Sequence, residues 1–317
     1  LANGLRVPLI AQEQLVGVMI VQCTHKYIFS PGEAALLQTF ANQAALAIQR
    51  AGLVDDLRAK ITQLEAAQAG LVKKERMERE LELARQVQQS MLPHNFPAIP
   101  GFTIAAKNEP ARQVGGDFYD LFILDENHFG VVIADVADKG MPAALYMALA
   151  RSLLLAEARR EWSPRQALLN VNRLLLELGE LNGFVSVFYG VVDQAAHKLA
   201  YTRAGHERPL LLRNGQVQML CGDGTVLGIL DSADLNLNQE ETLLQPGDRL
   251  VLYTDGLTDV ANPQGRFFGL QRLVELVTMQ DGKTAQEICQ AVYAGLALYR
   301  AETEQFDDMT LLVIEVE

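Results

Sequence analysis

Four times along this chain an aspartate stands at the end of an apolar, strand-like run. The runs are Gly115-Gly116-Asp117-Phe118-Tyr119-Asp120, Val131-Val132-Ile133-Ala134-Asp135, Val251-Leu252-Tyr253-Thr254-Asp255-Gly256 and Phe306-Asp307-Asp308-Met309-Thr310. A carboxylate in such a place is costly to desolvate unless a cation or a hydrogen-bond donor compensates it. Any one of them alone reads as a turn residue or a helix N-cap. Together they point to a centre for hard divalent cations, because Mg²⁺ and Mn²⁺ favour carboxylate oxygens and water. Two such ions side by side would lower the pKa of a bound water and set it in line with a phosphoryl group. That chemistry needs several carboxylates and no nucleophilic side chain.

The rest of the chain is ordered around these runs. Leu5 to Ile10 and Leu15 to Val21 are short apolar stretches separated by polar residues, the pattern of a β-hairpin. Ser30-Pro31-Gly32-Glu33 then supplies an N-cap, a proline at the first helical position and an acid at the third. From Leu37 the apolar spacing stays helical through Phe40, Ala44, Ile48, Val54, Leu57, Ile61, Leu64 and Leu71. Such a stripe serves either a dimeric coiled coil or packing on a neighbouring domain, and the dimer is the preferred reading. Gly52 and Gly70 interrupt it, and its phase shifts before Met77. Pro93, Pro97 and Pro100 end the helix and open an extended connector.

Beyond Gly101 strands are expected at 102 to 110, 117 to 124 and 128 to 136, helices at 140 to 160 and 164 to 178, and several strands between 184 and 255. Helices at 268 to 278 and 284 to 299 and a strand from Met309 to Val316 complete the chain. Strands cluster, with helices in pairs between them, so an antiparallel α+β architecture is expected rather than a doubly wound one. Three parts follow: residues 1–50, a helical linker at 51–92, and a catalytic domain at 93–317.

Composition removes several classes of function. Net charge is −12, from 27 basic and 39 acidic residues, which opposes nucleic-acid binding. The three cysteines, Cys23, Cys221 and Cys289, show no disulfide or zinc spacing, which fits a reducing cytoplasm. No uninterrupted apolar run reaches the roughly 18 residues that span a bilayer, so no membrane partner is expected. The chain starts at Leu1 without an initiator Met, as a fragment of a longer protein would.

Five ordered blocks resemble the signature blocks of PPM-type (PP2C-like) serine/threonine phosphatases of the SpoIIE/RsbU branch. They are Val114 to Asp120, Ala134-Asp135-Val136-Ala137-Asp138-Lys139-Gly140, Ala204-Gly205-His206, Tyr253-Thr254-Asp255-Gly256 and Asp307-Asp308-Met309-Thr310. The resemblance covers residues from about 80 to 317 and implies an α-β-β-α sandwich of antiparallel sheets with two Mn²⁺ or Mg²⁺ ions. It implies that Asp135 bridges them, that the Val136 carbonyl and the carboxylates of Asp255 and Asp307 complete the set, that Asp117 binds a metal directly or through water, and that Asp308 acts as a ligand or a support. Asp138 stands where many relatives carry glycine and is expected to cap the helix near Pro142. Lys139 and Arg112 are candidates for the substrate phosphate. His206 is a candidate general acid or a turn-shaping residue bonded to a backbone carbonyl.

Residues 1–50 resemble the closing half of a GAF domain, on Leu15-Val16-Gly17-Val18-Met19, Phe29-Ser30-Pro31 and Ala45-Leu46-Ala47-Ile48-Gln49. By resemblance, the substrate is a phosphoserine or phosphothreonine on a STAS-type anti-sigma-factor antagonist. From its adjacency alone, the helix from about 75 to 92 is expected to pack against the catalytic domain and to control metal binding. The alternatives are a pseudophosphatase that binds a partner without hydrolysis, and a nucleotide cyclase suggested by Gly115-Gly116-Asp117. Phe118-Tyr119 stands against the cyclase, where that motif expects an acid.

Overall fold

The structure is a computed structural model that describes residues 4–93, 95–178 and 183–317. The chain divides into two compact units, Leu1–Arg79 and Glu80–Glu317.

In the first unit β1 (Gly4–Ala11) and β2 (Gln14–Gln22) form the expected antiparallel hairpin. Its two turn residues, Gln12 and Glu13, have φ of 48° and 66°. Positive φ at both central positions is the turn whose twist matches that of paired strands. Val7, Leu9 and Ala11 of β1 bury against Ala41 and Ala45 of α1 (Pro31–Met91). The start of α1 is a capping box: Ser30 N–H donates to Glu33 Oε2 at 2.8 Å, and Glu33 N–H returns to Ser30 Oγ at 3.3 Å. The helix runs unbroken through Gly52 and Gly70. Val54, Leu57, Ile61, Leu64 and Leu71 are all exposed along it.

In the second unit the strands are β3 (Phe102–Glu109), β4 (Phe118–Ile123), β5 (His128–Val136), β6 (Val185–Asp193), β7 (Lys198–Ala204), β8 (Leu210–Arg213), β9 (Gln216–Met219), β10 (Gln239–Leu243), β11 (Arg249–Tyr253) and β12 (Met309–Val316). Its helices are α2 (Met141–Ala158), α3 (Pro164–Leu178), the single turn α4 (Asp255–Thr258), α5 (Gly269–Thr278) and α6 (Ala285–Arg300). Two five-stranded sheets result, ordered β10-β7-β6-β5-β4 and β3-β12-β11-β8-β9, with every pairing antiparallel.

Three apolar layers hold them. Val131 and Ile133 of β5 meet Leu252 and Leu312 between the sheets, while Val132 and Ala134 turn outward to Met147 and Leu168 of α2 and α3. On the other side Leu311 and Val313 of β12 pack under Leu273, Ile288 and Val292 of α5 and α6. Strands covered on both faces must be apolar at every position, so β5 and β12 read as continuous hydrophobic runs rather than alternations. The α-β-β-α sandwich is therefore as expected. Among the described residues α2 alone is long and apolar enough to cross a membrane, and the core accounts for that composition by burying Ala143, Met147, Ala150 and Leu154.

The division between the units falls inside α1 rather than at the proline connector near residue 93. Gln88, buried on the last turns of the helix, bonds the backbone of Gly115 from both ends of its amide, at 2.6 and 3.0 Å.

Asp120, inside one of the aspartate runs, has a structural partner: Arg151 Nη2 lies 2.6 Å from its carboxylate. Burial raises the Asp120 pKa in spite of the guanidinium, so removing one partner should be worse than removing both. Arg151→Met alone should cost about 3 kcal/mol in denaturant unfolding, and the double change Asp120→Leu/Arg151→Met should recover most of that loss. Equal losses in the two variants would contradict this reading of the pair.

Candidate metal centre

The four aspartate runs come together at one end of the sandwich. Asp117 precedes β4, Asp135 lies near the end of β5, Asp255 opens α4 directly after β11, and Asp307 and Asp308 precede β12. Antiparallel pairing of β4 with β5 and of β11 with β12 puts these strand ends side by side.

Asp117 is buried, and its Oδ2 accepts hydrogen bonds from Thr254 Oγ1 at 2.7 Å and Thr310 Oγ1 at 2.6 Å. Burial and the charges of Asp135 and Asp308 still raise its pKa well above the carboxylate range. Burial and Asp255 push Asp135 up to about 7, against a hydrogen bond with Asp117. Burial and Asp307 push Asp255 up to about 6. Each carboxylate is thus destabilised by the others in the absence of a cation.

Asp308 has a different setting. Its Oδ1 accepts from Ala111 N–H and its Oδ2 from Gly116 N–H, both at 2.7 Å. Burial raises its pKa, but these oxygens are occupied in pinning the Gly115-Gly116-Asp117 loop. Asp308 therefore acts as a support for Asp117. Gly116 is needed for a close approach: a Cβ there would stand 2.7 Å from the carbonyl oxygen of Val136, the expected carbonyl ligand.

Lys139 lies at the site but is paired with Asp307, Nζ to Oδ2 at 2.8 Å. Arg112 is exposed beside Gly140, its Nη1 3.7 Å from where a Cβ on that glycine would be. His206 is buried, sharing a hydrogen bond of 2.9 Å between Nδ1 and Ser186 Oγ. Burial lowers its pKa to about 3, which favours the neutral imidazole. With Asp135, Ser186, Glu207 and Asp255 it lines a cavity of about 180 Å³.

Asp138 does not cap α2. The N-cap is Gly140 and receives no side-chain bond, while Asp138 has φ of 82° and its Oδ1 accepts from Lys139 N–H at 2.8 Å. That left-handed conformation explains why glycine suits the position, and a short acidic side chain tolerates it through this local bond. Thr254, Thr310, Ser186 and Gln88 received no role from sequence. The two threonines stood inside quoted blocks, and the signal that could have marked them is a hydroxyl beside each proposed ligand.

Among the described residues no three Asp, Glu, His or Cys side chains already enclose a single point. The donor set nonetheless fits hard divalent ions: carboxylates only, mutually repelling, with a backbone carbonyl brought close by a glycine.

An α-β-β-α sandwich with clustered carboxylates at one end of its sheets is the architecture of the PP2C-type phosphatases. The SiaA-PP2C domain of Pseudomonas aeruginosa superposes with a TM-score of 0.69 at 25% identity, over 77% of this chain and 98% of that one. The model of the family Stage II sporulation protein E (SpoIIE) matches residues 125–317, and the chain belongs to that family. The GAF domain model matches residues 2–48. Curated relatives include IcfG of Synechocystis, 34% identical over 74% of this chain, and the phosphoserine phosphatase RsbU of Bacillus subtilis, 32% identical over 74%. The chain spans 41% of the length of IcfG and 69% of that of RsbU.

The repulsion has a measurable consequence without metal. Asp135 and Asp255 have folded pKa values raised above those of the unfolded chain, so their contribution to stability is present below pH 4 and lost as pH rises through about 6 to 7. The metal-free protein should melt lower at pH 8 than at pH 5. Asp117→Asn keeps an oxygen for both threonines and removes one charge, so it should raise the metal-free Tm at pH 8 by a few degrees, about 1 kcal/mol. A lowered Tm would mean that Asp117 is not under electrostatic strain.

Proposed function

We propose that this chain is the output part of a cytoplasmic signalling protein that hydrolyses phosphoserine or phosphothreonine on a partner protein. The observation that carries the proposal is the cluster of Asp117, which is buried, with the half-buried Asp135 and Asp255, whose pKa values burial and neighbouring carboxylates raise, and with Asp307 beside them. Such a set has little use other than to attract multivalent cations, and its cost without them is large. Similarity to a phosphoserine phosphatase over most of the chain supports the substrate class. The resemblance of the signature blocks to the SpoIIE/RsbU branch is the ground for taking a STAS-type anti-sigma-factor antagonist as the phosphoprotein.

Asp117, Asp135, Asp255 and Asp307, with the Val136 carbonyl, would hold two Mn²⁺ or Mg²⁺ ions. When bound, these supply Lewis acidity toward the phosphoryl group and a water acidic enough to attack it. Thr254 and Thr310 orient Asp117, and the backbone bonds of Asp308 fix the loop that carries it. Lys139 and Arg112 at the rim supply positive charge for the phosphate oxygens. His206, neutral and bonded to Ser186, shapes the wall next to Asp135.

Asp135→Asn should reduce Mn²⁺-dependent hydrolysis of p-nitrophenyl phosphate and of a phosphoserine protein by about a thousandfold or more. The fold should persist, as read by circular dichroism. A wild-type protein that binds Mn²⁺ but releases no phosphate would instead favour a partner-binding module without hydrolysis.

The exposed stripe of α1 supports a second part of the proposal, pairing with another copy of the chain as a coiled coil. Ile61→Glu/Leu64→Glu should convert a dimer to a monomer in light scattering. Because Gln88 on the same helix grips Gly115, next to Gly116-Asp117, we propose the helix as the route by which a signal alters the metal centre. Mn²⁺ affinity measured on the same variant tests that route, and a monomer with unchanged affinity would oppose it.

A further inference from the structure

Of the five clustered carboxylates, Asp307 is the one ion-paired to a basic side chain among the described residues. Its partner Lys139 is held at the rim rather than in the core. The ammonium also donates to the Phe306 carbonyl at 2.6 Å and lies 3.8 Å over the Phe306 ring, and that phenylalanine is 77% exposed. The lysine backbone, by contrast, is fixed. Asp138 and Gly140 flank it with φ of 82° and 83°, and Ala144 N–H donates to the Gly140 carbonyl as α2 begins. A flexible four-carbon stem is thus anchored at the mouth of the site, with its charged end free to exchange partners.

A divalent cation and an ammonium compete for the same carboxylate. Asp307 Oδ1 accepts the Asp308 N–H at 3.0 Å, whereas Oδ2 is the oxygen that Lys139 holds, so an ion bound at Oδ2 meets the ammonium. Like charges cannot share that position without strong repulsion at the short range and low dielectric of such a site. We propose that Lys139 is a displaceable counter-ion, neutralising Asp307 before metal binds, leaving it when the ion arrives, and then binding the phosphate of the substrate. The inference rests on the metal-centre reading given above. It makes one residue an opponent of metal binding and a helper of phosphate binding, two effects of opposite sign.

The opposite signs supply the test. Mn²⁺ would be titrated calorimetrically into the full chain as wild type, Lys139→Gln and Lys139→Arg, and inorganic phosphate would then be titrated into each Mn²⁺-loaded protein. Lys139→Gln should bind Mn²⁺ more tightly by roughly three- to tenfold, through loss of the competing charge, and phosphate about tenfold more weakly. Lys139→Arg, which keeps the charge, should stay near wild type in both. A lysine that merely braces the Phe306 segment would weaken both affinities when removed, and that result, or any pattern other than opposite shifts, overturns the proposal. If wild type takes up no Mn²⁺, the metal-centre reading falls and this inference with it. If wild type binds Mn²⁺ and Lys139→Gln binds it equally well, only this inference falls.

Discussion

Repulsion among carboxylates is the constraint around which the catalytic unit is built. Burial raises the pKa values of Asp117, Asp135 and Asp255, and neighbouring carboxylates add to it, Asp135 and Asp308 at Asp117, Asp255 at Asp135 and Asp307 at Asp255. A chain left to itself would separate such groups into water. Here they are held together by two sheets whose strands are covered on both faces, so that the strand ends cannot drift without exposing an apolar layer. The stability of the three layers is spent on keeping an unfavourable cluster in place, which is how strained functional sites generally persist.

The means of holding each carboxylate are chemically consistent. Asp117 is fixed by two hydroxyls and Asp308 by backbone amides, and these are neutral donors. Neutral donors orient an anion without cancelling its charge, so the field that attracts a cation survives. Arginines in the same places would have bonded the carboxylates more strongly and removed their use as metal ligands. The contrast lies close by in sequence: Asp120, three residues after Asp117, has Arg151 and serves the fold.

Much of this was legible in the sequence, and the limits follow from what sequence patterns encode. The Ser30 and Glu33 capping box is local, involving residues three apart, and could be read directly. The sandwich was readable because strand-like apolar runs cluster, with helix-period segments in pairs between the clusters. The grouping of the aspartates followed from their shared position at strand ends. The roles of Thr254 and Thr310 were not readable, since each reaches Asp117 across more than a hundred residues. Gln88 was equally hidden, because a polar residue on a linker helix looks solvated until its amide is found on Gly115. Asp138 misled for a local reason: an acid shortly before a helix is a good N-cap candidate, yet a φ of 82° takes it out of the extended conformation that capping requires.

The glycines beside the cluster connect these points. At Gly115 and Gly256 a Cβ would collide with Asp308, and at Gly116 with the Val136 carbonyl, so side chains there would push apart the loops that carry Asp117, Asp135 and Asp255. Each glycine weakens its segment by leaving backbone freedom to be lost on folding. Their presence in two segments of one site therefore means that close backbone approach mattered more there than local rigidity. Rigidity is restored by long-range bonds instead, from Asp308 to the Gly116 amide and from Gln88 to Gly115. A loop that is soft by composition and stiff only through distant partners changes shape when one of those partners moves. That is the physical reason a carboxylate cluster fixed in this way can be both precise in geometry and open to control from the helix that carries Gln88.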